Sequence, residues 1–125
     1  MPTGRHWAEV AAESLLTGLG WQLLARNYRL RGGELDLVFE EEDGTVVFIE
    51  VRQRSSTRFG GGAESIDHRK LARLRRTAAH FLAYGLPAAP LLATRARSEP
   101  RVRFDAVLVT GVERSHVTRH LRDIA

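Results

Sequence analysis

Hydrophobic and polar positions alternate with two different periods along the chain. Over residues 5–19, Trp7, Val10, Ala11, Leu15 and Leu19 recur near helical spacing. Glu9 and Glu13, four apart, share one side of that predicted helix, and Gly18 or Gly20 ends it. Residues 21–30 read as extended, with Trp21, Leu23, Leu24, Tyr28 and Leu30 as the apolar positions, and Gly32-Gly33 turns the chain. Residues 34–40 alternate: Leu35, Leu37 and Phe39 on one side, Glu34, Asp36, Val38 and Glu40 on the other. Asp43-Gly44 is the signal for a type I′ turn. Residues 45–51 (Thr-Val-Val-Phe-Ile-Glu-Val) are β-branched almost throughout and apolar on both faces, which predicts a central, buried strand.

A small, polar, Gly-rich stretch at 55–62 reads as loop. A second helix follows, with Asp67 as N-cap and Ile66 and Leu71 placed to close a hydrophobic staple. Ile66, Lys70, Leu71, Leu74, Ala78, Phe81 and Leu82 give its period; Arg69, Arg73, Arg76 and His80 line another side; Gly85 and Pro87 stop it. Residues 91–100 carry no clear period. Residues 102–110 alternate as a strand, and 115–121 read as a short edge strand. Three strands joined by tight turns are antiparallel, and a helix before the next strand permits a parallel crossover. The predicted fold is therefore α/β: a mixed sheet with helices packed on it, in the order α-β-β-β-α-β-(β).

Composition narrows the chemistry. The 125 residues fit one domain spanning 1–125, large enough to bury roughly two-thirds of its unfolded surface without a staple. There is no Cys, which excludes thiol catalysis, iron–sulfur clusters, zinc ribbons and disulfides. No apolar run reaches the length of a membrane span, and the N-terminus lacks a signal layout, so a soluble, cytoplasmic protein is expected. Basic residues number 19 against 15 acidic, a balance that suits a polyanionic partner. Of those basic residues only Lys70 is a lysine.

Two acids stand out. Asp36 and Glu50 lie on turn-linked strands, at nearly equal distance from Asp43, so a hairpin register sets them opposite one another. A buried carboxylate costs several kcal/mol unless it is paired, and something cationic must answer both. Arg52, on Glu50's face by strand parity, is one answer. A divalent metal is the other, since Mg²⁺ prefers one or two carboxylates with waters and phosphate oxygens. Glu9 is a third carboxylate if the first helix packs over the same edge. Glu34 reads equally as a neighbour of that site or as a surface acid at a turn. Arg69, Lys70, Arg73 and Arg76 form either a solvated helix face or a stripe that tracks phosphates. Arg54 and Arg58, with Gly60-Gly61-Gly62, read as a loop that closes on nucleic acid or as a plain connection. Asp105 reads as an ion-pair partner for an arginine. No Walker loop, GxGxxG or GxSxG motif occurs.

The runs Gly33-Glu34-Leu35-Asp36-Leu37-Val38 and Phe48-Ile49-Glu50-Val51-Arg52-Gln53-Arg54, with Asn27-Tyr28-Arg29, Glu9, Ala12, Gly60, Lys70 and residues 103–107, resemble the YraN-like family. Those small bacterial proteins are assigned to the restriction-endonuclease-like PD-(D/E)xK superfamily and are similar to archaeal Holliday-junction resolvases. The resemblance covers nearly the whole chain. It implies that Asp36 and Glu50 bind Mg²⁺ or Mn²⁺, that Glu9 completes the metal shell, and that the activity is hydrolysis of DNA, branched or single-stranded. By analogy with resolvases it also implies a homodimer. The family's Glu-x-Lys reads Glu50-Val51-Arg52 here. Arginine still clamps a phosphate, but it stays charged and does not shuttle a proton. Three functions are weighed as expectations: a metal-dependent nuclease in which Arg52 contacts the scissile phosphate, a nucleic-acid-binding module that no longer cuts, or an interaction protein with neither property.

Overall fold

The computed structural model describes residues 6–54, 68–86 and 101–125. Their order is α1 (Trp7–Thr17), β1 (Gln22–Leu30), β2 (Gly33–Glu40), β3 (Val46–Arg54), α2 (His68–His80) running into a π-helical turn (Phe81–Gly85), β4 (Val102–Val112) and β5 (Ser115–Leu121). Among the described residues the strands form one sheet in the order β1-β2-β3-β4-β5. All neighbours are antiparallel except β3 and β4, which are parallel. The mixed sheet and the α-β-β-β-α-β-β order are those expected of a restriction-endonuclease-like fold. The expected N-cap Asp67 with Ile66, the stretch 55–62 including Arg58, Pro87 and residues 91–100 lie outside the described residues.

One helix covers each face of the sheet. On the first, Ala8, Ala12 and Leu16 of α1 pack on Leu37, Phe39, Val47, Ile49 and Val107. On the second, Leu74, Ala78 and Phe81 pack on Leu35, Val38, Val46 and Phe48. Two covered faces explain why the first half of β3, residues 46–49, is apolar and buried on both sides. They also explain why Val38 and Glu40, expected on a polar side of β2, are fully buried. Two expectations for α1 are corrected: Val10 and Leu19 are exposed, while Ala8 and Ala12 face the sheet. Alanines four apart let the helix axis approach the strands closely, so Ala8, Ala12 and Leu16 form the centre of the inner stripe, with Trp7, Ala11 and Leu15 at its margin.

The turn between β2 and β3 also differs from the type I′ expectation. Only Gly44 of the Asp43-Gly44 pair has a positive φ, 92°. Glu41 N–H bonds to the Thr45 carbonyl at 2.9 Å, and Asp43 Oδ1 accepts from Thr45 N–H at 2.9 Å. The connection is thus a three-residue loop with a left-handed glycine, the next commonest hairpin solution. Among the described residues no helix is long and apolar enough to cross a membrane.

The contact between α2 and the start of β2 sets the depth of the site described below. A Cβ built on Gly33 overlaps Thr77 Oγ1 and lies 3.4 Å from the Arg73 carbonyl oxygen. Thr77 is fully buried, and its hydroxyl donates to that same carbonyl at 2.9 Å. Gly33→Ala is therefore expected to push α2 off β2 and cost about 2 kcal/mol, read as a lower thermal midpoint. Adding Thr77→Ala to the same chain should recover most of the loss, because the atom in the way is gone.

Candidate active site

The site forms where β2 and β3 part. Their ladder runs from Glu40–Val46 to Leu37–Ile49. Continuing that register by one residue sets Asp36 opposite Glu50, as the hairpin symmetry about Asp43 predicts. There Asp36 Oδ2 accepts the Val51 N–H at 2.8 Å, so a side chain replaces a rung of the ladder. The alternation of β2 breaks at the same point: Leu35 belongs to the core under α2, and Leu37 to the core under α1. The parted strands and α2 enclose a cavity of about 330 Å³, lined by Glu34, Asp36, Glu50, Lys70 and Arg73 among others. The two acids therefore open to one space on the same side of the sheet.

The electrostatics of the two acids differ. Burial pushes the Asp36 carboxyl up to about 7; the Val51 N–H pulls the other way, and the negative charges of Glu9, Glu34 and Glu50 add to the rise. Glu50, only 6% exposed, is held by cations from two elements: Lys70 Nζ lies 2.7 Å and Arg52 Nε 3.0 Å from its Oε2. The Glu50–Arg52 pair is the one strand parity predicts. The Lys70 contact reaches Glu50 from α2, across the cavity.

Glu9 stands at the border of the site. Asn27, a β1 residue with φ 48°, donates from Nδ2 to Glu9 Oε1 at 3.1 Å and to Glu34 Oε2 at 3.2 Å. Arg29 Nε also reaches Glu34 Oε2 at 3.1 Å. Glu13, one turn along α1, is taken by Arg26 through two bonds of 2.8 and 2.9 Å. Glu9 is thus near enough to act on Asp36 electrostatically but does not line the cavity. Among the described residues no three His, Asp or Glu side chains gather tightly enough to cage a metal ion by themselves.

The basic residues expected to meet nucleic acid fall into two groups. Arg69, Arg73 and Arg76 are exposed on α2, and Arg73 also borders the cavity. Arg54 lies with Arg52, Gln53 and Lys70 along a second opening that shares Glu50. Lys70, read both in the apolar period of α2 and with its basic residues, turns inward to Glu50. Asp105, as expected, is an ion-pair partner, of Arg103.

Three features of the site go beyond what was assigned from the residues. Glu34 is a neighbour of Asp36, not a detached surface acid. Asn27 bridges two acids; apart from its place in the family resemblance, its sequence signal is an asparagine inside a strand pattern, a residue that tolerates a left-handed backbone. Lys70 supplies an amine beside Glu50, and its signal is its solitude: one lysine in a chain that otherwise uses arginine.

Comparison with known proteins agrees with the strand motifs. Residues 8–109 match the model of a family described as uncharacterised protein family UPF0102. A UPF0102 protein of Nitrosomonas europaea is 48% identical over 104 residues, which is 83% of this chain and 78% of the relative. One from Frankia alni is 48% identical over 107 residues, covering 86% and 79% of the two chains. One from Deinococcus radiodurans is 46% identical over 84 residues, covering 65% and 68%. The chain therefore belongs to the UPF0102 family, the YraN-like proteins that its GExD and FxEV strands resemble.

Proposed function

We propose that this protein is a divalent-metal-dependent phosphodiesterase acting on DNA in the cytoplasm. The observation that carries the reading is that Asp36 and Glu50 line one cavity whose wall also bears Lys70 and Arg73. Asp36 is a half-buried carboxyl whose charged form is disfavoured by desolvation and by three neighbouring acids, so a cation beside it would be favoured. Mg²⁺ or Mn²⁺ suits that donor set, because such ions bind through one or two carboxylates and take their remaining ligands from water and phosphate. Asp36 and Glu50 would hold the ion, with Glu9 as an acid at the border; when bound, it supplies charge stabilisation to a reacting phosphoryl oxygen. Arg52, permanently charged, is set beside Glu50 to contact the scissile phosphate. Lys70 brings from α2 the amine that a Glu-x-Lys strand would carry two residues after its glutamate. Arg54, Arg69, Arg73 and Arg76 would follow the phosphate backbone on either side. Pairing of two copies, as in the resolvases the chain resembles, belongs to the same proposal.

The test combines cleavage with binding. Labelled branched, single-stranded and duplex DNA are incubated with the protein in Mn²⁺ or in EDTA, and Mn²⁺ is titrated calorimetrically into wild type and Glu50→Ala. Product in Mn²⁺ alone is expected, together with loss of both product and ion affinity in the variant. Equal ion binding by both chains, or by neither, rejects the metal site. A second reading, DNA binding without cleavage, is favoured by one observation: Glu50 already has two cationic partners. It expects salt-sensitive DNA affinity and no product in Mn²⁺. Arg52→Lys separates the two, since a gain of cleavage reveals a site that lacked only its strand lysine.

A further inference from the structure

A chain of aromatic rings leads from the core to the surface at the far end of α2. Phe104 contacts Phe48 with ring centroids 5.3 Å apart, Phe48 contacts Phe81 at 6.0 Å, and Phe81 contacts Tyr28 edge-on at 5.1 Å. Tyr28 then shares a 2.6 Å hydrogen bond with His80 Nδ1. The His80 ring meets Tyr84 at 4.6 Å. Phe48 and Phe81 are buried and Phe104, Tyr28 and His80 half-buried, while Tyr84 is 72% exposed. The turn that presents it is π-helical, and π-turns within helices are frequent at functional sites. The turn is also tightly packed: a Cβ on Gly85 would lie 2.6 Å from Phe81 Cδ1 and 3.1 Å from Tyr28 Cε1. Tyr84 is therefore an exposed ring backed by His80 and set on a rigid corner, which lowers the ordering cost of stacking on it.

Its neighbours indicate the ligand. Arg69, Arg73, Arg76, His80 and Tyr84 follow one another at spacings of three or four, so they share a side of the helix. Arg73 borders the acidic cavity, and Arg76 Nη2 lies 3.1 Å from where a Cβ on Gly32 would stand. The stripe thus starts at the cavity, passes the tip of the β1–β2 hairpin and ends on an exposed aromatic ring. From Arg73 to Tyr84 is roughly 16 Å along the axis, the reach of a few nucleotides. Cations that track phosphates, followed by a ring on which a base can stack, are the two parts of a single-strand-binding surface.

We propose that Tyr84, backed by His80, is a stacking site for an unpaired base, and that the DNA bound carries a single-stranded segment beside the acidic cavity. A paired base within a duplex has both faces covered and offers nothing to this ring. The proposal rests on the DNA-directed part of the function proposed above but not on cleavage, and its test uses EDTA throughout. Binding of a duplex carrying a short single-stranded tail, with 2-aminopurine in the tail, is compared with binding of the blunt duplex for wild type, Tyr84→Ala and Tyr84→Phe. The expected result is a 5- to 100-fold loss of affinity for the tailed DNA in Tyr84→Ala. Blunt-duplex affinity and the salt slope should be unchanged, because no phosphate contact is removed. Tyr84→Phe should bind like wild type and quench 2-aminopurine to the same extent. Equal affinity of Tyr84→Ala and wild type for the tailed DNA overturns the proposal, as does an equal loss on both DNAs. Wild type that binds neither DNA overturns it too, and leaves the exposed ring to a protein partner. Absence of cleavage in Mn²⁺ with tail binding intact would instead remove the nuclease reading and leave this site standing. Since Tyr84 is exposed, matching thermal midpoints for the three chains are expected and exclude unfolding as the cause.

Discussion

Asp105→Ala should be the most destabilising single substitution in the sheet, at about 4 kcal/mol, because it strips the partner from a buried ion pair. Asp105 is fully buried on β4. Arg103 Nε and Nη2 donate to its two oxygens at 2.8 and 2.9 Å, His120 Nε2 lies 2.8 Å from Oδ2, and Asp123 N–H donates at 2.9 Å. Arg103 extends the network to Glu41 Oε1, 2.6 Å from its Nη1. Trp21 closes it, with the Arg103 and Arg122 guanidiniums 5.6 and 5.5 Å from its ring. Burial alone pushes the Asp105 carboxyl up. His120, Arg103 and the Asp123 N–H outweigh that effect and hold it down at about 2. A folded-state value below the unfolded one means that the unfolded chain binds more protons between the two. The stabilisation is therefore complete above about pH 4 and is lost as pH falls through about 2. Urea titrations at pH 7 and pH 2.5 should show Asp105→Asn well below wild type at the higher pH and much closer to it at the lower. At neutral pH, Asp105→Ala should lower the thermal midpoint by roughly 15 °C. The effect belongs to the fold, since this network joins β4, β5 and the turn after β2 and does not line the acidic cavity.

Strand order and pairing were legible because they follow from local quantities. Turn residues set the antiparallel neighbours, and a helix between β3 and β4 makes their parallel pairing feasible. The opposition of Asp36 and Glu50 was legible for the same reason: it is a matter of register about Asp43 and survives the change from a type I′ turn to a three-residue loop. Contacts made across layers were not legible. How α1 faces the sheet depends on how closely Ala8 and Ala12 let the backbones approach: Trp7, Ala11 and Leu15 of the expected period do flank the core, but the centre of the stripe is rotated onto Ala8, Ala12 and Leu16. The Lys70–Glu50 contact joins residues on elements that share no ladder: the period of α2 turns Lys70 inward, but nothing within either element names Glu50 as its partner. The same holds for Asn27, whose bridge between Glu9 and Glu34 needs α1, β1 and β2 in place together. The sequence pattern thus carried the two acids that one hairpin aligns; Lys70 and Asn27 were visible as residues, but not the contacts that tertiary packing gives them.

Asp36→Asn should make the protein more stable and less capable at once. Folding raises the Asp36 carboxyl to about 7, so between its unfolded value and that figure the folded chain binds the extra proton. Stability then declines as pH rises through this window, and the cost of the ionised form is complete above about pH 7. Asparagine has no charge to bury or to set against Glu9, Glu34 and Glu50, and its carbonyl oxygen still accepts the Val51 N–H. A gain of about 2 kcal/mol is expected at pH 8, shrinking to nothing below about pH 3, where Asp36 is protonated in both states. Glu50→Ala should behave in the opposite way, losing stability because Arg52 and Lys70 lose the buried acid that pairs them. Two acids in one cavity would thus respond with opposite signs, which a purely structural ion-pair cluster does not predict. A cluster kept for stability would have both acids satisfied. An acid retained at a cost to the fold is the signature of a group kept for what it binds. Mn²⁺ sharpens the contrast: it must displace the Asp36 proton, so its stabilisation of wild type should grow from pH 5 to pH 8 and be absent in Asp36→Asn. Thermal midpoints of both chains at the two pH values, with and without Mn²⁺, measure this directly. An Asp36→Asn chain that melts below wild type at pH 8 would show that the carboxylate is already satisfied within the fold, and would remove the case for an ion at this position.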